Sequence, residues 1–110
     1  MRRQAIVVMG LLFLAWAAFA GDIYGSLREG ATPKANTGYQ VFDATNHPVS
    51  ARLQTASNGS FHLSLPPGRF RLMVYLPGNP SADIVSSNNA VQYDFELIRR
   101  PDGTYALARR

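Results

Sequence analysis

The amino-acid sequence predicts an all-β domain, a seven-stranded β-sandwich with antiparallel or mixed sheets, behind an N-terminal signal peptide. Three observations support this prediction. After residue 20, apolar and polar residues alternate with a period of two, and no helical period is sustained. Glycine, proline and asparagine residues separate the alternating segments. Before residue 21, two arginines precede a short apolar run. The domain is therefore expected to occupy residues 21–110.

The first twenty residues have the order of regions found in secretory signal peptides. An apolar run covers residues 5–18, and the small residues Ala18 and Ala20 stand at minus three and minus one from Gly21. A membrane-spanning helix needs about 20 apolar residues, which is more than this run supplies. We therefore expect cleavage after Ala20, export to the periplasm or the secreted space, and no stable membrane span in the mature chain.

Removal of this segment changes what the composition implies. The net charge falls from +4 to +2, because both arginines of the segment leave with it. That surplus is too small to predict nucleic-acid binding. The sequence contains no cysteine, which excludes disulfides, thiolate chemistry and cysteine-type zinc sites. A domain of this size buries only about 60 to 65% of its unfolded surface, so we expect one modest core and no enclosed active site.

Two strands are predicted in the first part of the domain, at residues 22–28 and 37–42. In the first, Ile23, Gly25 and Leu27 share one face, and polar residues occupy the other. The polar segment before the second strand predicts an exposed connection.

The alternation is clearest in the third, fourth and fifth predicted strands, at residues 51–56, 60–65 and 69–76. Residues 57–59, Ser-Asn-Gly, predict a type I′ hairpin turn, because both central residues of that turn need positive φ. Residues 66–68, Pro-Pro-Gly, predict a type II turn. The side chains expected in the core are Phe61, Leu63, Leu65, Phe70, Leu72, Val74 and Leu76.

A predicted loop and two further strands complete the chain. Residues 77–89 are rich in proline, asparagine and serine and contain a glycine, a composition that predicts a loop. Long loops in compact domains are often functional. The strands are predicted at residues 90–98 and 104–108, joined by the turn at 100–103. The candidate binding residues of the loop are Asn79, Asp83, Ser86 and Asn88.

Residues 57–74, SNGSFHLSLPPGRFRLMV, resemble the carboxypeptidase regulatory-like family. Domains of that family often carry a small-polar-Gly turn, an aromatic strand, a Pro-Pro-Gly turn and a further strand that begins with an aromatic residue. Residues 23–27, IYGSL, and 37–43, TGYQVFD, are similar to the family's first two strands. The resemblance implies a transthyretin-like, or prealbumin-like, sandwich that is non-catalytic and either attached to other domains or exported alone.

No catalytic, cofactor or metal site is predicted. His47 and His62 lack nearby carboxylates at the spacing of a metal site. Asp94 and Glu96 alternate with apolar residues on one strand, so we expect them on its exposed face, paired with arginines rather than placed across a cleft. The sequence therefore predicts a protein that is not an enzyme.

Three functions remain open on the sequence. The favoured one is a module that binds another envelope or secreted protein through residues 77–89 and an unpaired sheet edge. The second is a small carbohydrate-binding module whose exposed Tyr24 and Tyr75 stack on sugar rings of a glycan. The third is an accessory or inhibitor protein that offers an edge strand to its partner.

Overall fold

The structure, a computed structural model, describes residues 21–110. The predicted signal peptide and its cleavage after Ala20 lie outside the described residues. In the described part of the chain, no helix has the length and apolar character needed to cross a membrane. The regular structure of these residues consists of nine strands in two sheets.

The nine strands form one mixed and one antiparallel sheet. In chain order they are β1 (Gly21–Glu29), β2 (Thr32–Pro33), β3 (Gly38–Asp43), β4 (Leu53–Gln54), β5 (Ser60–Leu65), β6 (Gly68–Val74), β7 (Ser81–Ser86), β8 (Val91–Arg99) and β9 (Tyr105–Arg109). In sheet A, β1 pairs with β5 and β2 antiparallel and with β8 in parallel, and β9 pairs antiparallel with β8. In sheet B, the order is β4-β3-β6-β7, with every pair antiparallel.

The core lies between the sheets and confirms the predicted inward faces. Phe61 of β5 stacks on Phe95 of β8 with ring centroids 6.2 Å apart, and it contacts Tyr39 of sheet B at 5.7 Å. Tyr93 stacks on Phe95 at 5.8 Å. The predicted core side chains of β5 and β6 are buried, and Leu76 is half-buried against them. The chain is therefore an all-β sandwich with a single described core.

Both predicted turns connect the two sheets instead of closing hairpins. The strand before residues 57–59 pairs with β3 in sheet B, whereas β5 pairs with β1 in sheet A. Of the two central residues, Gly59 has a positive φ of 80° and Asn58 does not, so the turn is not type I′. At residues 66–68 the chain crosses back to sheet B, and Gly68 has φ 150°, far from the roughly 80° of a type II turn. The hairpin prediction is therefore wrong, although the strands themselves are present.

The interpretation of residues 77–89 as a loop is wrong for the centre of that segment. β7 pairs with β6 along its whole length, and its Ile84 is completely buried in the core. Ala82 and Ile84 alternate with the exposed Asp83 and Val85, which is the pattern of a strand with one buried face. Turn-forming residues flank this short pattern on both sides. Two strands, β2 and β7, were not predicted, and the third predicted strand is reduced to Leu53–Gln54. The described residues therefore form nine strands instead of seven.

Candidate functional site

A groove on the outer face of sheet B is the candidate site. It lies between β6, β7 and the turn at residues 43–47 and has a volume of about 440 Å³. We call it the β6–β7 groove. Its lining residues are Asp43, Ala44, Asn46, Arg69, Phe70, Arg71, Asp83, Ile84 and Val85.

The pairing of β6 with β7 places both charges and an apolar side chain in this groove. Arg69 lies opposite Val85, and Arg71 lies opposite Asp83. Because Phe70 and Ile84 point into the core, their neighbours on each strand must point outward. Val85 is 49% exposed, so its apolar side chain is accessible in the groove. The groove thus combines two guanidinium groups, the carboxylates of Asp43 and Asp83, and an apolar contact point.

Arg71 is held in place by its neighbours. Its guanidinium donates a hydrogen bond to the Asn46 side chain and lies 5.5 Å from the centre of the Phe42 ring. Asn46 has a positive φ of 67°, a conformation that asparagine tolerates better than most residues. Arg69 is exposed, and in the described residues it takes part in no ion pair. The groove therefore contains one fixed and one accessible arginine.

The turn beside the groove is organised by the carboxylate of Asp43. Its Oδ1 accepts hydrogen bonds from the N–H groups of His47 and Thr45, each at 2.9 Å, and from the Thr45 hydroxyl at 2.8 Å. The bond from the His47 N–H and then that from the Thr45 hydroxyl lower the pKa of Asp43 below its usual 3.8. This carboxylate therefore has a structural function in the turn.

The four residues predicted from the sequence have different environments. Asp83 lines the groove. Asn79 is exposed in the turn before β7, and Asn88 is exposed after it. Ser86 is only 3% exposed, and its hydroxyl donates to the carbonyl oxygen of Leu65 at 2.8 Å. Of the four, only Asp83 belongs to the groove, and the Ser86 hydroxyl already has a partner inside the sandwich.

The two candidate tyrosines lie on different sheets. Tyr24 of β1 is 42% exposed beside a polar depression of about 420 Å³ that also contains Ser26 and Asp94. Tyr75 follows β6 in sheet B, where the Arg52 guanidinium lies 3.9 Å from its ring centre and its hydroxyl donates to Gln40. The structure therefore does not bring the tyrosines together as one platform for a sugar chain.

The described histidines each contact one carboxylate. His47 lies 3.8 Å from Asp43, and His62 lies 3.5 Å from Asp22, with all four side chains at the surface. Within residues 21–110 there is no group of three or more histidine and carboxylate side chains that could hold a metal ion. Sequence reasoning named none of Arg69, Arg71 and Val85 as site residues, although the outward positions of the two arginines follow from the same alternation that predicted the core face of β6.

Comparison with known proteins shows the class of fold. No protein-family model and no curated protein matches the chain. The Bacillus anthracis TIE protein is similar in structure, with 12% identity, a TM-score of 0.60, and coverage of 79% of this chain and 17% of that one. A DUF3823 family protein from Parabacteroides merdae has 12% identity and a TM-score of 0.57, over 74% of this chain and 49% of that one. BcpA, the major pilin subunit of Bacillus cereus, in its D312A form, has 14% identity and a TM-score of 0.55, over 83% of this chain and 26% of that one.

These likenesses support a β-sandwich domain of the kind that the transthyretin-like resemblance implies. At such low identity they show the fold alone. The chain spans less than half the length of each of these three proteins. The more specific resemblance to the carboxypeptidase regulatory-like family has no matching family model to support it.

Proposed function

We propose that this protein is an exported, non-catalytic β-sandwich module that binds another protein of the cell envelope or secreted space through the β6–β7 groove. The observation that carries the proposal is the exposure of Val85 between the charged side chains of Arg69 and Asp83. An apolar contact point bordered by charges of both signs is typical of a protein interface, in which a buried contact is surrounded by a polar rim.

The structural relatives and the sequence support the location and the absence of catalysis. One of the similar structures is the major pilin subunit of Bacillus cereus. The predicted signal peptide would place this chain beyond the inner membrane. Both observations favour a structural or binding function at the cell surface, in the periplasm or in the secreted space.

Site-specific crosslinking in the native envelope tests the proposal. A photo-reactive amino acid in place of Val85 should crosslink to a protein partner, because this exposed side chain lines the groove. The matched control has the same amino acid in place of Tyr24, which is exposed to a similar degree on the opposite sheet. Crosslinking from the Tyr24 position alone would contradict the assignment of the interface to the groove.

Charge reversal then separates the groove from other surfaces. Asp83→Arg combined with Val85→Lys should abolish capture of the partner without loss of folding, because both side chains point into solvent. Tyr24→Ala should leave capture unchanged. The carbohydrate-binding alternative predicts the reverse: retention on immobilised envelope glycans that is lost in Tyr24→Ala and kept in the groove variant.

A further inference from the structure

Strand β9 has one edge that no described strand covers. It pairs with β8 alone, and two backbone hydrogen bonds of 2.8 Å continue that ladder, one from Arg110 to Asp94 and one from Arg100 to Thr104. Because hydrogen bonding alternates along an antiparallel pair, the even-numbered residues of β9 bond to β8. The odd-numbered residues point their backbone N–H and C=O groups away from it: Tyr105, Leu107 and Arg109.

Part of this edge is already occupied by the chain itself. The N–H of Tyr105 donates to the carbonyl oxygen of Pro77 at 2.9 Å. The backbone groups of Leu107 and Arg109 have no such partner in the described residues. These two residues offer up to four hydrogen-bonding groups to an added strand.

The other sheet edges are shorter, partly closed or followed by proline. β2 and β4 have two residues each. On β7, the hydroxyl of Tyr93 accepts a hydrogen bond from the outward N–H of Val85. β5 is open at His62 and Ser64, but the prolines directly after it cannot extend a ladder. Shortness and proline are common means by which proteins protect sheet edges from pairing, and β9 has neither.

Exposed arginines stand at both ends of the open edge of β9: Arg100, which pairs with Thr104 before the strand, and Arg110 after it. Between them, the outward side chains of Ala106 and Ala108 are small and leave space beside the edge. Two carboxylates of β8 lie on this face: that of Asp94, which accepts hydrogen bonds from Ser26 and Gln92, and that of Glu96, which is opposite Ala108. The guanidinium of Arg109 is held against β8, where it donates to the Gln92 carbonyl oxygen at 3.1 Å and lies 4.2 Å from the centre of the Tyr93 ring.

We propose that the open edge of β9 binds an extended segment of a partner protein that carries carboxylate side chains, which adds a strand to sheet A. The proposal deepens the proposed function and rests on it, since it names a second contact and the chemistry of the partner. A second copy of this chain is a poorer occupant, because β9 pairing with itself would bring the arginines of both copies to one interface.

A synthetic peptide of alternating threonine and glutamate tests the recognition directly. When it is added to the folded protein, the amides of Leu107 and Arg109 should gain protection from hydrogen exchange, and those of His62 and Ser64 on the edge of β5 should not. A peptide of alternating threonine and lysine should bind at least tenfold more weakly. Equal binding of the two peptides would contradict the role of the arginines.

Two substitutions at one position isolate the contribution of the edge. Arg109→Ala removes the side chain and keeps the backbone N–H, whereas Arg109→Pro removes both. Because this N–H points away from β8, proline leaves the described ladder intact. Arg109→Pro should bind the acidic peptide about tenfold more weakly than Arg109→Ala, and equal affinities would overturn the proposal.

A charge reversal at Arg110 tests the edge if Arg109→Pro disturbs the fold, which a loss of exchange protection in β8 would reveal. The variant is then Arg110→Glu, and its control is Arg52→Glu at the far edge of sheet B. Arg110→Glu should weaken binding, and unchanged binding would overturn the proposal.

The remaining outcomes separate this inference from the proposed function. If the β9 amides are protected in the absence of peptide and the protein sediments as a dimer, the occupant is a second copy and the inference is wrong. If the acidic peptide does not bind while the Val85 crosslink to an envelope protein persists, the inference fails and the proposed function stands. If the peptide binds but no envelope protein is crosslinked from the groove, the proposed function fails instead.

Discussion

The hydroxyl of Tyr93, on β8 of sheet A, accepts a hydrogen bond at 2.9 Å from the backbone N–H of Val85, on β7 of sheet B. A side chain of one sheet thus satisfies a backbone group at the edge of the other. The contact ties the candidate groove to the core, because the ring of Tyr93 stacks on Phe95 while its hydroxyl reaches β7. Val85 is therefore fixed through its backbone while its side chain remains free for a partner.

Tyr93→Phe should weaken this connection between the sheets. The ring and its stacking remain, and only the hydrogen bond is lost, so we expect a decrease of about 0.5 to 1.5 kcal/mol in the free energy of unfolding. Hydrogen exchange at the Val85 amide should become faster. Tyr24→Phe is the matched control, because the Tyr24 hydroxyl has no hydrogen bond in the described residues. An unchanged exchange rate at Val85 in Tyr93→Phe would contradict the contact.

Strand β7 should prove necessary for folding. Ile84→Ala removes a completely buried side chain, so it should lower the free energy of unfolding by about 2 to 5 kcal/mol. The neighbouring Val85→Ala should change it by less than about 0.5 kcal/mol, because that side chain is exposed. Chemical denaturation of both variants measures the difference. Shortening residues 77–89 to a tight turn should unfold the protein, and a stable shortened protein would show that β7 is dispensable.

The turn at residues 43–47 should be sensitive to acid. Because hydrogen bonds to the carboxylate lower the pKa of Asp43 in the folded state, its contribution to stability is present above about 3.8 and is lost as the pH falls through the lowered value. Asp43→Asn should therefore be less stable than the parent protein at neutral pH, and the difference in melting temperature should shrink in strong acid. Asp83→Asn is the control, since Asp83 accepts no backbone hydrogen bond in the described residues. A difference for Asp43→Asn that is independent of pH would contradict this account.

Gly25 should tolerate no side chain. A Cβ at this position would lie 1.7 Å from the backbone oxygen of Tyr93, its partner in the parallel β1–β8 pair. Gly25→Ala must therefore displace backbone, and we expect a loss of about 1 to 3 kcal/mol in the free energy of unfolding. Gly38→Ala is the matched control, because its nearest contact is the flexible side chain of Arg52 at 3.3 Å. Equal stability of the two variants would contradict the close approach.

The sequence predicted the buried faces well, because alternation reports the local environment of each residue. Phe61, Leu63 and Leu65 point into the core as expected. Strand partners were harder to predict. The turns at 57–59 and 66–68 have the residues of hairpin turns, but such residues determine the local backbone and not which sheet the next strand joins.

The candidate site was predicted only at Asp83. The short alternation within β7 was obscured by the turn-forming residues on both sides, and those residues dominated the interpretation of the whole segment as a loop. The alternation of β6 places Arg69 and Arg71 on its outward face, but their proximity to Asp83 depends on the pairing of β6 with β7. That pairing could not be inferred while β7 was regarded as a loop.

The parallel pairing of β1 with β8 also has a consequence for biogenesis. β1 is synthesised first, and its partner on one side, β5, follows well before its partner on the other side, β8. During synthesis, the edge of β1 that receives β8 therefore stays open until almost the whole domain has been translated. An unpaired edge in a growing chain invites pairing with the wrong neighbour. We therefore expect the nascent domain to depend on chaperones until β8 has been made.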